Sequence, residues 1–152
     1  MLLCLALACA QAPAQIVLRM NAAPPVTISA ADLAKLPRHT AVLTDHGKQI
    51  TYEGPLLRDI LSRGGIDFGK ELRGKQLSTY VAALATDGYE VVYALAEMDP
   101  SIIDADIIVA DKRDGQPLAE NEKPVRIVVP HDKRAARSLR MLQEIDVVQL
   151  KK

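Results

Sequence analysis

The 152 residues carry 19 basic and 19 acidic side chains, giving a formal net charge of zero. A neutral chain excludes nonspecific nucleic-acid binding, which needs a basic surface; with four tyrosines, one phenylalanine and no tryptophan it also lacks a base-stacking platform. The length fits one domain with a real core.

Residues 1–14, MLLCLALACAQAPA, form an apolar run ending in small residues, and Ala12-Pro13-Ala14 fits an A-x-A cleavage site. A run this short does not span a bilayer as a helix. The expectation is a signal peptide over 1–14, a mature domain over 15–152, and export to the periplasm or the medium. Lipidation at Cys9 is the lesser alternative, because Ala6-Leu7-Ala8 matches a lipobox poorly. Both cysteines, Cys4 and Cys9, fall in this segment. The mature chain therefore has no thiol for a disulfide, a nucleophile or a metal.

Gln15 to Met20 and Val26 to Ile28 read as short strands, separated by a stretch whose Pro24-Pro25 forbids a continuous central strand. Ser29 opens a helix over Ala30 to Leu36, with Asp32 completing a capping-box pattern and Pro37 ending it. Thr40 to Leu43 and Lys48 to Tyr52 flank Thr44-Asp45-His46-Gly47, the pattern of a hairpin or a wide turn. The clearest helix runs from Gly54-Pro55 to Gly65, with proline in the first turn and Leu56, Leu57, Ile60 and Leu61 as its apolar stripe. Leu77 to Ala85 alternates as a strand, Asp87-Gly88 is a tight turn signal, and Tyr89 to Ala94 returns. A further strand fits Ile107 to Ala110, Asp114-Gly115 turns the chain, and Pro124 introduces a terminal strand pair, Val125 to Val129 and Ile145 to Val148. Short strands, brief helices and many Gly/Pro turns predict an α+β fold with a mixed sheet.

Between the terminal strands lie His131, Lys133, Arg134, Arg137 and Arg140. Cations on a frame of two core strands suit a phosphate, a carboxylate or an acidic partner. The other reading is a solvated basic helix face countered by Asp132 and Glu144. No dinucleotide, P-loop, nucleophile-elbow or zincin motif is present. His39 and His46 lack a third ligand, and Asp104, Asp106 and Asp111 lack the glycine turn of a calcium loop.

Five stretches in order carry a resemblance: Tyr52-Glu-Gly-Pro-Leu-Leu-Arg-Asp-Ile-Leu61, Asp87-Gly88-Tyr89, Leu95-Ala-Glu97, Ala110 to Leu118 ending Gly-Gln-Pro-Leu, and Val125-Arg-Ile-Val-Val-Pro130 with the basic segment after it. Together they resemble the oxidoreductase molybdopterin-binding domain family, which has the sulfite oxidase fold. The resemblance runs from about Val26 to Leu150. It implies that enzymes of the family hold molybdenum through a cysteine in the strand and turn before the Gly-x-Pro-Leu helix. Here that stretch is Thr40 to Gly47, without cysteine, and Thr44 and Asp45 are not like-for-like substitutes for sulfur.

The resemblance thus implies a pterin or molybdopterin-like ligand with molybdenum unexpected, in an exported non-catalytic binding protein. Small exported relatives resemble periplasmic sensors that pass ligand state to a membrane signalling partner. Asp87 would face the amino-pyrimidine edge, Tyr89 and Tyr93 would form the flat wall, and His131, Arg134, Arg137 and Arg140 would meet an anionic tail. The same Asp87 is good turn chemistry, the tyrosines are also packing residues, and some of the arginines are surface charge. Arg137 is central if the segment is helical. Two rivals stand: a molybdenum-cofactor oxidoreductase or its accessory subunit, and a protein-interaction module whose cleft is vestigial.

Overall fold

The computed structural model describes residues 15–151, so the expected signal peptide and both cysteines lie outside the described residues. Among the described residues eleven strands and two α-helices are found, with short 3-10 helices between them. A five-stranded sheet takes the order β2-β1-β11-β5-β6, formed by Val26–Ser29, Gln15–Met20, Leu142–Gln149, Thr79–Ala85 and Glu90–Ala94. Strand β1 runs parallel to β11, and the remaining pairs are antiparallel, so the sheet is mixed as the turn pattern predicts. A second sheet joins β3 (His39–Asp45), β4 (Lys48–Gly54), β8 (Lys112–Arg113) and β9 (Gln116–Pro117). A third pairs β7 (Ile108–Ala110) with β10 (Arg126–Val128).

Alternation decides which side chains are buried. In β5, Val81, Ala83 and Ala85 point into the main core, where they meet Leu18, Leu57, Ile60, Tyr93, Ile145 and Val147. A smaller core gathers Leu43, Ile50, Tyr52, Leu56, Ile108, Ala110 and Val128 between the other two sheets.

Helix α1 spans Ala30–Ala34 and carries the expected capping box: the Asp32 amide donates to Ser29 Oγ, and Ser29 donates its own amide to Asp32. The β3–β4 connection is a tight hairpin, since His46 and Gly47 both take positive φ, 48° and 78°. Helix α2 starts later than its pattern suggests, at Leu57–Arg63. Pro55 and Leu56 stay extended because they pair with β7: Val109 N donates to Pro55 O at 2.8 Å, and Leu57 N donates to Ile107 O at 2.8 Å. Leu56 accordingly belongs to the smaller core, while Leu57, Ile60 and Leu61 face the larger one. Gly54 before them has a packing reason: a Cβ there would stand 2.0 Å from Val109 O.

One other expectation is corrected, and one open alternative is decided. The terminal strands β10 and β11 do not pair with each other; β10 pairs β7 and β11 lies between β1 and β5. The basic segment between them is not a helix but a loop with one 3-10 turn at Ala135–Arg137. Leu139 explains this, since its carbonyl accepts from Ile127 N at 2.8 Å and its side chain is buried, tying the loop to β10 residue by residue.

Candidate functional site

Three pieces of chain meet around the basic segment. The 3-10 turn Ala135–Arg137 packs on β3 and β10, and Ala135 leans on the smaller core. At the end of β3, Asp45 Oδ2 lies 3.5 Å from Arg140 Nη2. From the other side comes the β5–β6 turn. Asp87 Oδ1 accepts from Tyr89 N at 3.0 Å, the geometry of an Asx turn, and Gly88 takes φ 85°. Tyr89 then donates its hydroxyl to Ala136 O at 2.9 Å, pinning that turn to the basic segment.

Between them lies a surface pocket of about 250 Å³, bounded by Asp87 and Tyr89 on one side and Ala135, Ala136, Ser138, Leu139 and Arg140 on the other. The Tyr89 side is open, since that residue is 52% exposed. Of the candidate residues the structure brings Asp87, Tyr89 and Arg140 to the pocket lining and leaves Tyr93 and Arg137 out of it. Tyr93 is fully buried and lies behind the segment, donating its hydroxyl to Arg137 O. Burial pushes its phenol well above the usual range. His131 and Arg134 are exposed and outside the pocket lining.

Arg137 is held from both ends. Its Nε and Nη2 fork onto Asp132 at 2.8 and 2.7 Å, its Nη1 donates to Glu97 Oε2 at 2.8 Å, and its guanidinium stacks 5.6 Å from the Tyr93 ring. Hydrogen bonds to Asp132 and then Glu97 raise its pKa further. Glu97 Oε1 also caps Ala94 N at 3.0 Å, so the Leu-Ala-Glu stretch is what anchors Arg137. Arg137 is thus countered by Asp132 and Glu97, and Arg140 faces Asp45.

Sequence reading passed over a second assembly directly beneath. Arg126, 2% exposed, donates from Nη1 to Glu122 Oε1 at 2.6 Å and to the Tyr52 hydroxyl at 2.9 Å, and from Nη2 to Ser138 O at 3.1 Å. Tyr52 donates to Glu122 at 2.7 Å, and Arg113 stands 3.4 Å from the same carboxylate. Ser138 Oγ accepts from Val129 N at 3.0 Å, so the pocket's Ser138 is fixed by β10 through both its carbonyl and its hydroxyl. The signal was an arginine inside the apolar run Val125 to Val129, which has to bury a counter-charge with it.

A family model described as "Oxidoreductase molybdopterin binding domain" matches residues 13–152. The chain belongs to that family. Its fold is the sulfite oxidase-like molybdopterin-binding fold: the crystal structure of the sulfane dehydrogenase SoxCD from Paracoccus pantotrophus superposes with a TM-score of 0.67 at 15% identity. The match covers 88% of this chain and 38% of that one, so the chain spans well under half the length of its structural neighbour. No curated protein sequence matches.

The family's cofactor can be set against the residues present. The position where the resemblance calls for a metal-binding cysteine, Thr40 to Gly47, offers only oxygen and imidazole donors. Asp45 there is engaged by Arg140, and His46 is 97% exposed at the hairpin tip. Among the described residues no three His, Cys, Asp or Glu side chains converge. This donor set does not fit molybdenum held by a thiolate. The pocket beside it is lined by the Asp87 carboxylate, Tyr89 and Arg140.

Proposed function

We propose that the protein is an exported, non-catalytic pterin-binding member of its family, serving as a sensor or accessory protein for a membrane signalling partner. The observation that carries this reading is the pocket between the Asp87–Tyr89 turn and Ala135 to Arg140, combined with the absence of any thiol from the chain after Cys9. Its volume of about 250 Å³ is just below the range of drug-sized sites and suits a bicyclic ring. Asp87 keeps one carboxylate oxygen beyond its turn bond to accept from an amino-pyrimidine edge, and the Tyr89 ring supplies a flat wall. Arg140 adds a donor for a carbonyl or a phosphate. Export rests on the apolar run 1–14.

The test is mass spectrometry, absorbance and metal analysis on the mature protein purified from its native compartment. A metal-free pterin in stoichiometric amount is the expected result, and its binding weakens in Asp87→Asn. Stoichiometric molybdenum would sink the non-catalytic reading. No co-purifying pterin and no binding of an added reduced pterin would sink the ligand itself.

A further inference from the structure

The five-stranded sheet has one face in the core and one without. Val81, Ala83, Tyr93, Ile145 and Val147 point inward, so Tyr80, Ala82, Leu84, Val92, Ala94 and Val148 point to the opposite side. The register makes them contiguous. Tyr80 stands opposite both Ala94 and Val148, and Ala82 stands opposite both Val92 and Asp146. Val92 is 52% exposed at the centre of the edge strand β6. Such a patch on a sheet face marks a contact surface.

Its charged border is unbalanced. Glu90, Glu144 and Asp146 flank the patch through Leu84 and Ala82, and among the described residues the one cation paired with them is Arg19. Arg19 is committed to Glu144, with Nε at 2.6 Å and Nη2 at 3.1 Å, and is 3.8 Å from Asp146. Asp146 Oδ1 makes no hydrogen bond, its facing cation being Arg19 Nε at 3.8 Å, while the side chain as a whole is 43% exposed and open to a second cation. Burial and then the nearby Glu144 push its carboxyl pKa upward, which is the response of a carboxylate short of a counter-charge.

We propose that this face docks a partner protein through a segment that sets a lysine or arginine among apolar side chains, the cation reaching Asp146 while the apolar residues cover Val92, Leu84 and Tyr80. A second copy of this chain is a poor occupant, since face-to-face packing would bring the acidic borders of both copies together. The surface is independent of the pterin reading and stands or falls without it.

The experiment uses the whole mature protein and two synthetic strand-forming peptides, one alternating valine with lysine and one alternating valine with glutamate, read by fluorescence anisotropy. The lysine peptide binds and the glutamate peptide does not. Asp146→Lys weakens the lysine peptide by about tenfold or more, and Val92→Asp weakens it as well. Circular dichroism confirms that each variant is folded, and Asp146→Asn, which removes charge at constant shape, gives an intermediate loss. Equal binding of the two peptides overturns the proposal, as does lysine-peptide binding indifferent to Asp146→Lys and Asp146→Asn. A concentration-dependent dimer in sedimentation that Val92→Asp abolishes also overturns it, because the face would then belong to a second copy.

Discussion

Two arginines in this protein each lie over a tyrosine ring and pair with carboxylates, in opposite surroundings. Arg126 stacks 4.6 Å from the Tyr52 ring, pairs with Glu122 and donates to Ser138 O. Arg137 stacks 5.6 Å from the Tyr93 ring and pairs with Glu97 and Asp132, while Tyr93 donates to the Arg137 carbonyl. The side chain of Arg126 is 2% exposed and that of Arg137 is 37% exposed. The difference teaches where each can act. The sealed arginine has given up water and cannot be spared, so it serves as a strut under the pocket. The partly exposed one, outside the pocket lining, holds the loop's shape through Asp132 and Glu97 and still meets solvent.

The largest effect expected from breaking this comparison is at Arg126. Arg126→Ala leaves Glu122 buried without its main partner and frees Ser138 O, so urea denaturation should show a loss of about 3–5 kcal/mol. The double change Arg126→Met with Glu122→Leu should recover much of that loss, because it removes both charges together. An Arg126→Ala protein with wild-type stability would mean that the assembly is not a strut.

Acid should act on the same network. Burial alone would raise the Glu122 carboxyl, but hydrogen bonds from Tyr52 and Arg126 outweigh it and hold the group below its ordinary value of 4.5. A carboxyl depressed by folding contributes stability above its unfolded pKa and loses it as pH falls through the folded one. The wild-type urea midpoint should therefore drop below about pH 4.5, and Glu122→Gln should make that drop shallower. It will not abolish it, because Asp32, held at about 2 mainly by Ser29, and Glu144, held down by Arg19, titrate in the same window. An identical acid slope in Glu122→Gln would assign the drop to carboxyls other than Glu122.

Arg137 should cost less and say more about geometry. Its pairs are partly solvated, so Arg137→Ala is expected to lose about 1 kcal/mol. Arg137→Lys should behave nearly like the alanine variant in both stability and pterin affinity, since a lysine cannot fork onto Asp132 while reaching Glu97. Full rescue by lysine, measured by thermal melting and ligand titration, would show that positive charge alone is what the loop needs.

The contrast also marks what the sequence disclosed. Period-two burial in Thr79 to Ala85, the Ser29 cap and the Asp87-Gly88 turn are local signals, and local physics suffices to place them. The start of α2 was misread because Pro55 and Leu56 are claimed by β7, some fifty residues away, and no window of sequence contains that competitor. Whether the basic segment is helical stays open in the sequence for the same reason: Ile127 N takes Leu139 O, and Arg126 takes Ser138 O. At the site, residue types were legible but charge balance was not. Arg137 looks like a free cation until Glu97, forty positions earlier, is found against it.

The two tyrosines that touch the loop give the smallest and sharpest test. Tyr93→Phe removes a buried donor from Arg137 O and leaves that carbonyl to be satisfied elsewhere, so about 1–2 kcal/mol should be lost. Tyr89→Phe removes the equivalent bond to Ala136 O, but at a half-exposed position where water can replace it, and the loss should stay near 0.5 kcal/mol or below. If Tyr89 is a ligand wall, its ring matters more than its hydroxyl. Tyr89→Phe should then keep pterin affinity within about threefold, and Tyr89→Ala should lower it by about tenfold or more at nearly unchanged stability. Should Tyr89→Ala bind as wild type while Tyr93→Phe does not, the ligand would sit against the loop's inner side, and the β5–β6 turn would be a brace and not part of the site.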